Sequence, residues 1–198
     1  MSRSTQPRPN RMPLTEAQIR AKTVGGLQPP SDKIQLVEYD PEWPTVFVRE
    51  AEMAHAVLGP RALGIEHLGS TSVPGLPAKP TIDMLLVVVD SADEDAYVPP
   101  LEHAGYVLRI REPDWHEHRM LNGPGAKINL HVLSQACPEI DRVLKFRERL
   151  RTNAADFDLY ARTKLALAEK EWKYVQNYAD AKTDVIEEIL ARAQHEWK

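Results

Sequence analysis

The chain is poor in the features that mark several large protein classes. It has one cysteine in 198 residues, Cys137, so no disulfide can close within it. Its longest apolar run is MLLVVV, residues 84–89, far short of the roughly 20 residues that span a bilayer. Lys and Arg number 25 against 29 Asp and Glu, a net charge of −4. No general basic field would attract nucleic acid or an anionic membrane, and neither is expected as a partner. The opening MSRSTQPRPNRMP has basic residues but no apolar core, so it does not read as a secretory signal. With a single thiol and no such signal, a reducing cytoplasm is the expected compartment. The oligomeric state is not legible.

What is present reads as one α+β unit behind an extension. Residues 1–30 are assigned to a flexible N-terminal extension, disordered over 1–13, with a short helix in LTEAQIRAKTVGG capped by Thr15. Residues 31–198 form the domain, with a sheet core to residue 137 and a helical part from 138. IQLVEYD alternates and predicts a first strand. Asp40-Pro41 opens a helix that Gly59-Pro60 stops. IEHL is a short strand, and TIDMLLVVV predicts a strand buried on both faces. DSADEDAYVPPLEHAG predicts a helix broken at Pro99-Pro100. YVLRIRE, HEHRML and AKINLHVL predict three strands, the last two joined by the turn NGPG. Beyond Pro138, EIDRVLKFRERLRT, FDLYARTKLALAEKEWKYVQ and TDVIEEILARAQHEW all carry helical patterns, with Asp180 capping the last.

The densest chemistry lies in EHLGSTSVPGLPAKPTID, residues 66–83. Gly69 permits a tight turn and close approach of another group. Ser70, Thr71 and Ser72 offer hydroxyls and backbone N–H groups suited to phosphate. Pro74, Pro77 and Pro80 stiffen the return, and Lys79 supplies a positive charge. Asp83 then heads a buried strand, where an unpaired carboxylate is expensive. A metal ion would stabilise it, and so would a basic partner. Pairing of Asp83 with Lys79, or a turn cap, is the plain structural alternative.

The stretch IEHLGSTSVPGLPAKPTIDMLLVV resembles the GrpB family, a group also found fused to dephospho-CoA kinases. The resemblance extends over about residues 34–195 through VEYDPEWPTVF, NLHVL, FRERLR, YARTK and YADAKTDVI. That family is similar in turn to the nucleotidyltransferase superfamily, in which a Gly-Ser turn precedes carboxylates on the next strand. The resemblance implies a nucleotidyltransferase-like mixed β-sheet flanked by helices, with a helical C-terminal third beside the cleft. It implies a small-molecule or nucleotide ligand, with ATP or another nucleoside triphosphate as substrate and Mg²⁺ or Mn²⁺ as the metal. Gly69, Ser70, Thr71 and Lys79 would hold phosphate. Lys164 and Lys182 would join them from the helices, with Tyr160 or Tyr178 stacking.

The carboxylate set is incomplete. Two residues after Asp83 stands Leu85, and the strand INLHVL offers Asn129 and His131 but no acid. Glu66 and His131 are the candidate replacements beside Asp83, as metal ligands and catalytic groups. Glu66 and His67 alternate on their strand, and Glu66 is placed toward the cleft. Arg119 is a candidate phosphate grip. His116 and His118, two apart, would share a face and could join His131 and Asp83 around Zn²⁺ or Mn²⁺. Three functions therefore stand: a metal-dependent nucleotidyl or adenylyl transferase, a non-catalytic ligand-binding or accessory module, and a histidine-metal hydrolase. Arg147, Arg149 and Arg151 are expected to reach solvent or an anionic ligand.

Overall fold

The computed structural model describes residues 14–27, 33–125 and 127–196. The expected disorder of residues 1–13 falls outside them. Five strands form one mixed sheet in the order β1-β2-β5-β4-β3: β1 (Gly64–Leu68), β2 (Ile82–Val88), β3 (Val107–Glu112), β4 (His118–Asn122) and β5 (Ile128–Ser134). β2 and β5 run parallel at its centre, and the other pairs are antiparallel. The helices are α1 (Glu16–Lys22), α2 (Trp43–Leu58), α3 (Val98–His103), α4 (Pro138–Thr152), α5 (Ala154–Ala168), α6 (Val175–Asp180) and α7 (Thr183–Glu196). No described helix is long and apolar enough to cross a membrane.

Strand alternation divides the sheet into two faces. Ile82, Met84, Leu86 and Val88 of β2, with Leu130 and Val132 of β5, pack on Trp43 and Leu58 of α2 and Leu101 of α3. The opposite face carries Leu68, Leu85 and Leu133 under Ile140, Val143 and Leu144 of α4. Both faces of β2 are therefore covered, which is why its sequence lacks polar alternation after Asp83. The loop after Gly69 ties the sheet to the helical third, since Val73 and Leu76 are buried among Leu150, Tyr160, Val185 and Ile189.

Several boundaries differ from expectation. IQLVEYD makes one bridge, Val37 to Ala78, and no strand. The ladder does not extend on either side of Ala78, because Pro80 lacks the N–H that the next pair would need and Leu76 N donates to Val73 O instead. Pro99 and Pro100 lie in the first turn of α3, where a missing N–H costs little; they start that helix instead of breaking it. His116 and Glu117 have φ of 55° and 51°, so they form a left-handed turn and β4 begins only at His118. Asp180 closes α6 and stands three residues before α7.

α1 begins at the expected cap: Thr15 Oγ1 accepts from Gln18 N, and Gln18 Oε1 accepts from Thr15 N at 2.9 Å. The segment docks on the sheet. Val24 N donates to Arg109 O at 2.8 Å, and Lys22 Nζ meets Glu112 Oε1 at 2.7 Å.

Candidate functional site

Asp83 stands opposite Leu68 at the open end of the sheet, on the face that α4 covers farther along. Its Oδ1 accepts from Asn129 Nδ2 at 2.9 Å, and Asn129 Oδ1 accepts from Asn122 Nδ2 at 3.0 Å. These three residues are neighbours across β2, β5 and β4, so strand alternation lines them up as a polar row. Its other oxygen lies against Gly69, where φ is +65° and an added Cβ would sit 2.3 Å from Asp83 Oδ2. Glycine is thus required there twice, for backbone conformation and for space. Burial opposes ionisation of Asp83, yet His131, Asn129 and Lys182 hold its carboxyl below the ordinary range.

The hydroxyls after Gly69 are not all available to a ligand. Thr71 is buried; its Oγ1 donates to Thr81 O at 3.3 Å and lies 3.1 Å from His67 Nε2. His67 stacks on Phe47, 4.7 Å between ring centres, and burial lowers its pKa to about 4, so it is a neutral strut on the α2 face. Ser72 Oγ donates to Gly69 O at 2.6 Å. Ser70 lines the cleft and is only partly buried. The sequence expectation that Thr71 presents its hydroxyl to phosphate is corrected: that group braces the loop.

A cleft of about 930 Å³ opens beside Asp83. Its lining includes Lys79, Lys127, Lys164, Lys182 and Arg109, with Asp83 as its single carboxylate among the described residues. Burial pushes Lys164 down to about 7, assisted by Lys182 and opposed by Asp83. Burial likewise lowers Lys182 to about 8, with Asp83 opposing and Lys79 adding to the shift. Lys79 is lowered by burial and by Lys127. Lys164 Nζ donates to Pro77 O, and Lys182 Nζ stands 4.6 Å over the ring of Tyr178. The Tyr178 hydroxyl is buried with no hydrogen-bond partner among the described residues. The helical break near Asp180 does not separate the two lysines, because α5 and the α6–α7 corner converge on the same cleft.

On the neighbouring strands a chain of side chains leads away from Asp83. His131 Nε2 is 3.8 Å from Asp83 Oδ1, and His131 Nδ1 is 2.9 Å from His118 Nε2. His118 Nδ1 lies 2.9 Å from Glu112 Oε2, which in turn leads to Lys22. His118 and His131 thus share a face, but the expectation that His116 shares it with His118 is corrected: the left-handed turn at His116 and Glu117 leaves His116 ahead of β4 and outside these contacts. Sequence reasoning missed Glu112, Lys127, Asn122 and the aliphatic lining from residues 19–27. Alternation along YVLRIRE puts Glu112 on the face of Ile110 and was the available signal.

Other candidates lie elsewhere. The placement of Glu66 toward the cleft is corrected: it shares the Asp83 face of the sheet, but its carboxylate meets Arg147 Nη1 at 2.9 Å, outside the cleft. Arg119 is a correction: it pairs with Val132 in register and therefore points to the opposite face. There it is buried, 2.6 Å from Glu94 and 3.3 Å from Glu117. The arginines of α4 are also engaged inside the protein. Arg147 holds Glu66 and Glu148, Arg149 is 2.6 Å from buried Asp156, and Arg151 donates to Ser72 O. No three His, Cys, Asp or Glu side chains among the described residues converge as a metal-ligand group. A two-ion arrangement does not fit residues that offer Asp83 alone, with Glu66 held by Arg147.

Comparison with known proteins agrees with this architecture. The sequence pattern of the family described as "GrpB protein" matches residues 33–192. UPF0157 protein BH1888 of Halalkalibacterium halodurans is 58% identical over 184 residues, covering 93% of this chain and 94% of that protein. UPF0157 protein SCO7215 of Streptomyces coelicolor is 40% identical, covering 86% and 88%. The crystal structure of conserved protein GrpB from Enterococcus faecalis aligns with a TM-score of 0.72 at 33% identity, over 83% of this chain and all 100% of that one. The mixed sheet with its helical C-terminal third is therefore a shared architecture, and this chain belongs to the GrpB family.

Proposed function

We propose that the cleft binds a nucleoside triphosphate or a similar phosphorylated metabolite. One observation carries this reading: Lys79, Lys164 and Lys182 converge on a partly buried cleft whose single carboxylate is Asp83. Desolvated lysines that repel one another are unfavourable unless an anion joins them. A polyphosphate would supply that charge, with Ser70 as a further donor and the Tyr178 hydroxyl as a partner for a polar group of the ligand. Mg²⁺ or Mn²⁺, where the ligand brings one on its phosphates, would find Asp83 as its one protein carboxylate. The reaction consistent with the resemblance is nucleotidyl transfer to a small acceptor.

A second reading is a non-catalytic binding or accessory module that kept the anion cleft. Leu85 and Asn129, where a metal-dependent transferase would need acids, favour it. Thermal unfolding with ATP and with inorganic tripolyphosphate tests the common part. Both should raise the Tm in wild type and fail to do so in Lys164→Met/Lys182→Met. No stabilisation of wild type by either anion would remove both readings. Release of pyrophosphate from ATP across a panel of acceptors would separate transfer from binding alone.

A further inference from the structure

A second pocket of about 260 Å³ opens on the other side of Asp83. Its walls are Leu85 and Leu133 of the sheet, Val143 and Phe146 of α4, Tyr160 of α5 and Ile186 of α7. Its mouth is polar and is shared with the cationic cleft through Ser70, Asp83 and His131. For scale, an engineered apolar cavity of about 150 Å³ takes up benzene. This pocket therefore has room for one ring with a short substituent. The charges beside it choose the head group. Asp83 sits at the mouth, and Glu139 lies on the wall with its carboxyl pushed up by burial, while Arg147 is already held by Glu66 and Glu148. A carboxylate ligand would meet repulsion, and a neutral hydroxyl or an amine would not.

We propose that the apolar pocket is an acceptor site for a neutral alcohol or amine bearing a group of about one ring, whose hydroxyl or amino group stands at the mouth beside Asp83. Binding in the pocket is independent of the cleft; the part of acceptor rests on the cleft holding a nucleoside triphosphate.

The test uses 4-bromobenzyl alcohol and the intact protein. In soaked crystals the bromine should lie between Leu133 and Val143, with the hydroxyl near His131. In solution, methyl NMR titration should move Leu85, Leu133, Val143 and Ile186, and Val143→Trp, which fills the pocket, should weaken binding at least tenfold. Bromine elsewhere, or no binding up to the solubility limit, would overturn the proposal. Parallel titration with inorganic tripolyphosphate keeps the two readings apart, since its failure alone would remove the cleft reading and leave the pocket standing.

Discussion

A β-carbon on Gly69 would stand 2.3 Å from Oδ2 of Asp83, a distance no real pair of such atoms tolerates. The glycine at the end of β1 and the acid on β2 are thus one device, separated by the proline-framed loop in sequence and in contact in space. Gly69→Ala should destabilise the protein by about 1–3 kcal/mol from its positive φ alone, with the clash adding to this. Gly69→Ala/Asp83→Ala should recover the clash component but not the backbone strain. A double-mutant cycle by urea unfolding checks this; strict additivity would show that the two residues do not meet.

The cleft lysines make stability depend on pH with a definite sign. Their folded pKa values, about 7 for Lys164 and about 8 for Lys182, lie below the ordinary 10.5. Between the folded and unfolded values the unfolded chain binds more protons, so stability rises with pH through that interval. The ligand-free protein should therefore gain resistance to urea from pH 7 toward pH 10, relative to Lys164→Met/Lys182→Met. Saturating tripolyphosphate should flatten the rise by restoring the protons. A wild-type profile parallel to that of the double variant would show that the lysines are solvated.

Arg119 separates a structural arginine from a ligand-binding one. Arg119→Met breaks the buried contacts with Glu94 and Glu117 and should lower the unfolding midpoint. The affinity for tripolyphosphate, measured by calorimetry, should stay within about twofold, because the side chain lies on the far face of the sheet. A tenfold loss of affinity would contradict that placement.

Glu112 couples the N-terminal segment to the sheet. Its pKa falls from 4.5 to about 2, with His118 and Lys22 overcoming burial. A depressed carboxylate stabilises fully above its unfolded value and loses that contribution as pH falls through the interval from 4.5 to 2. Lys22→Met should shorten the interval, raising the midpoint of acid unfolding and speeding amide exchange over residues 16–24. Exchange unchanged from wild type would mean that the ion pair does not hold the segment.

Much of the architecture was legible in the residues because it is local. The Thr15–Gln18 capping box, the Gly59-Pro60 stop and the apolar run after Asp83 each announce an element within a few positions. The stretch from Gly69 to Asp83 also stood out in the residues, and the fold brings its two ends into contact. What failed depended on partners distant in the chain. IQLVEYD has the alternation of a strand, but the segment it reaches has a proline on one side and an engaged N–H on the other. Thr71 has a hydroxyl suited to phosphate, but His67 and Thr81 engage it. Arg119 has the right chemistry on the wrong face, since period-two alternation tells which residues share a face but not which face the ligand uses.

By itself the order of residues determined the elements, the glycine-to-aspartate loop and the absence of a full acidic set, because these depend on backbone preferences and on which side chains exist. Only tertiary packing decided that three lysines from a loop, a helix and a helical corner surround one carboxylate, and that Arg147 and Arg149 turn to acids and Arg151 to the Ser72 carbonyl. Charge acts through space, and the dielectric around each group depends on what the rest of the chain places beside it.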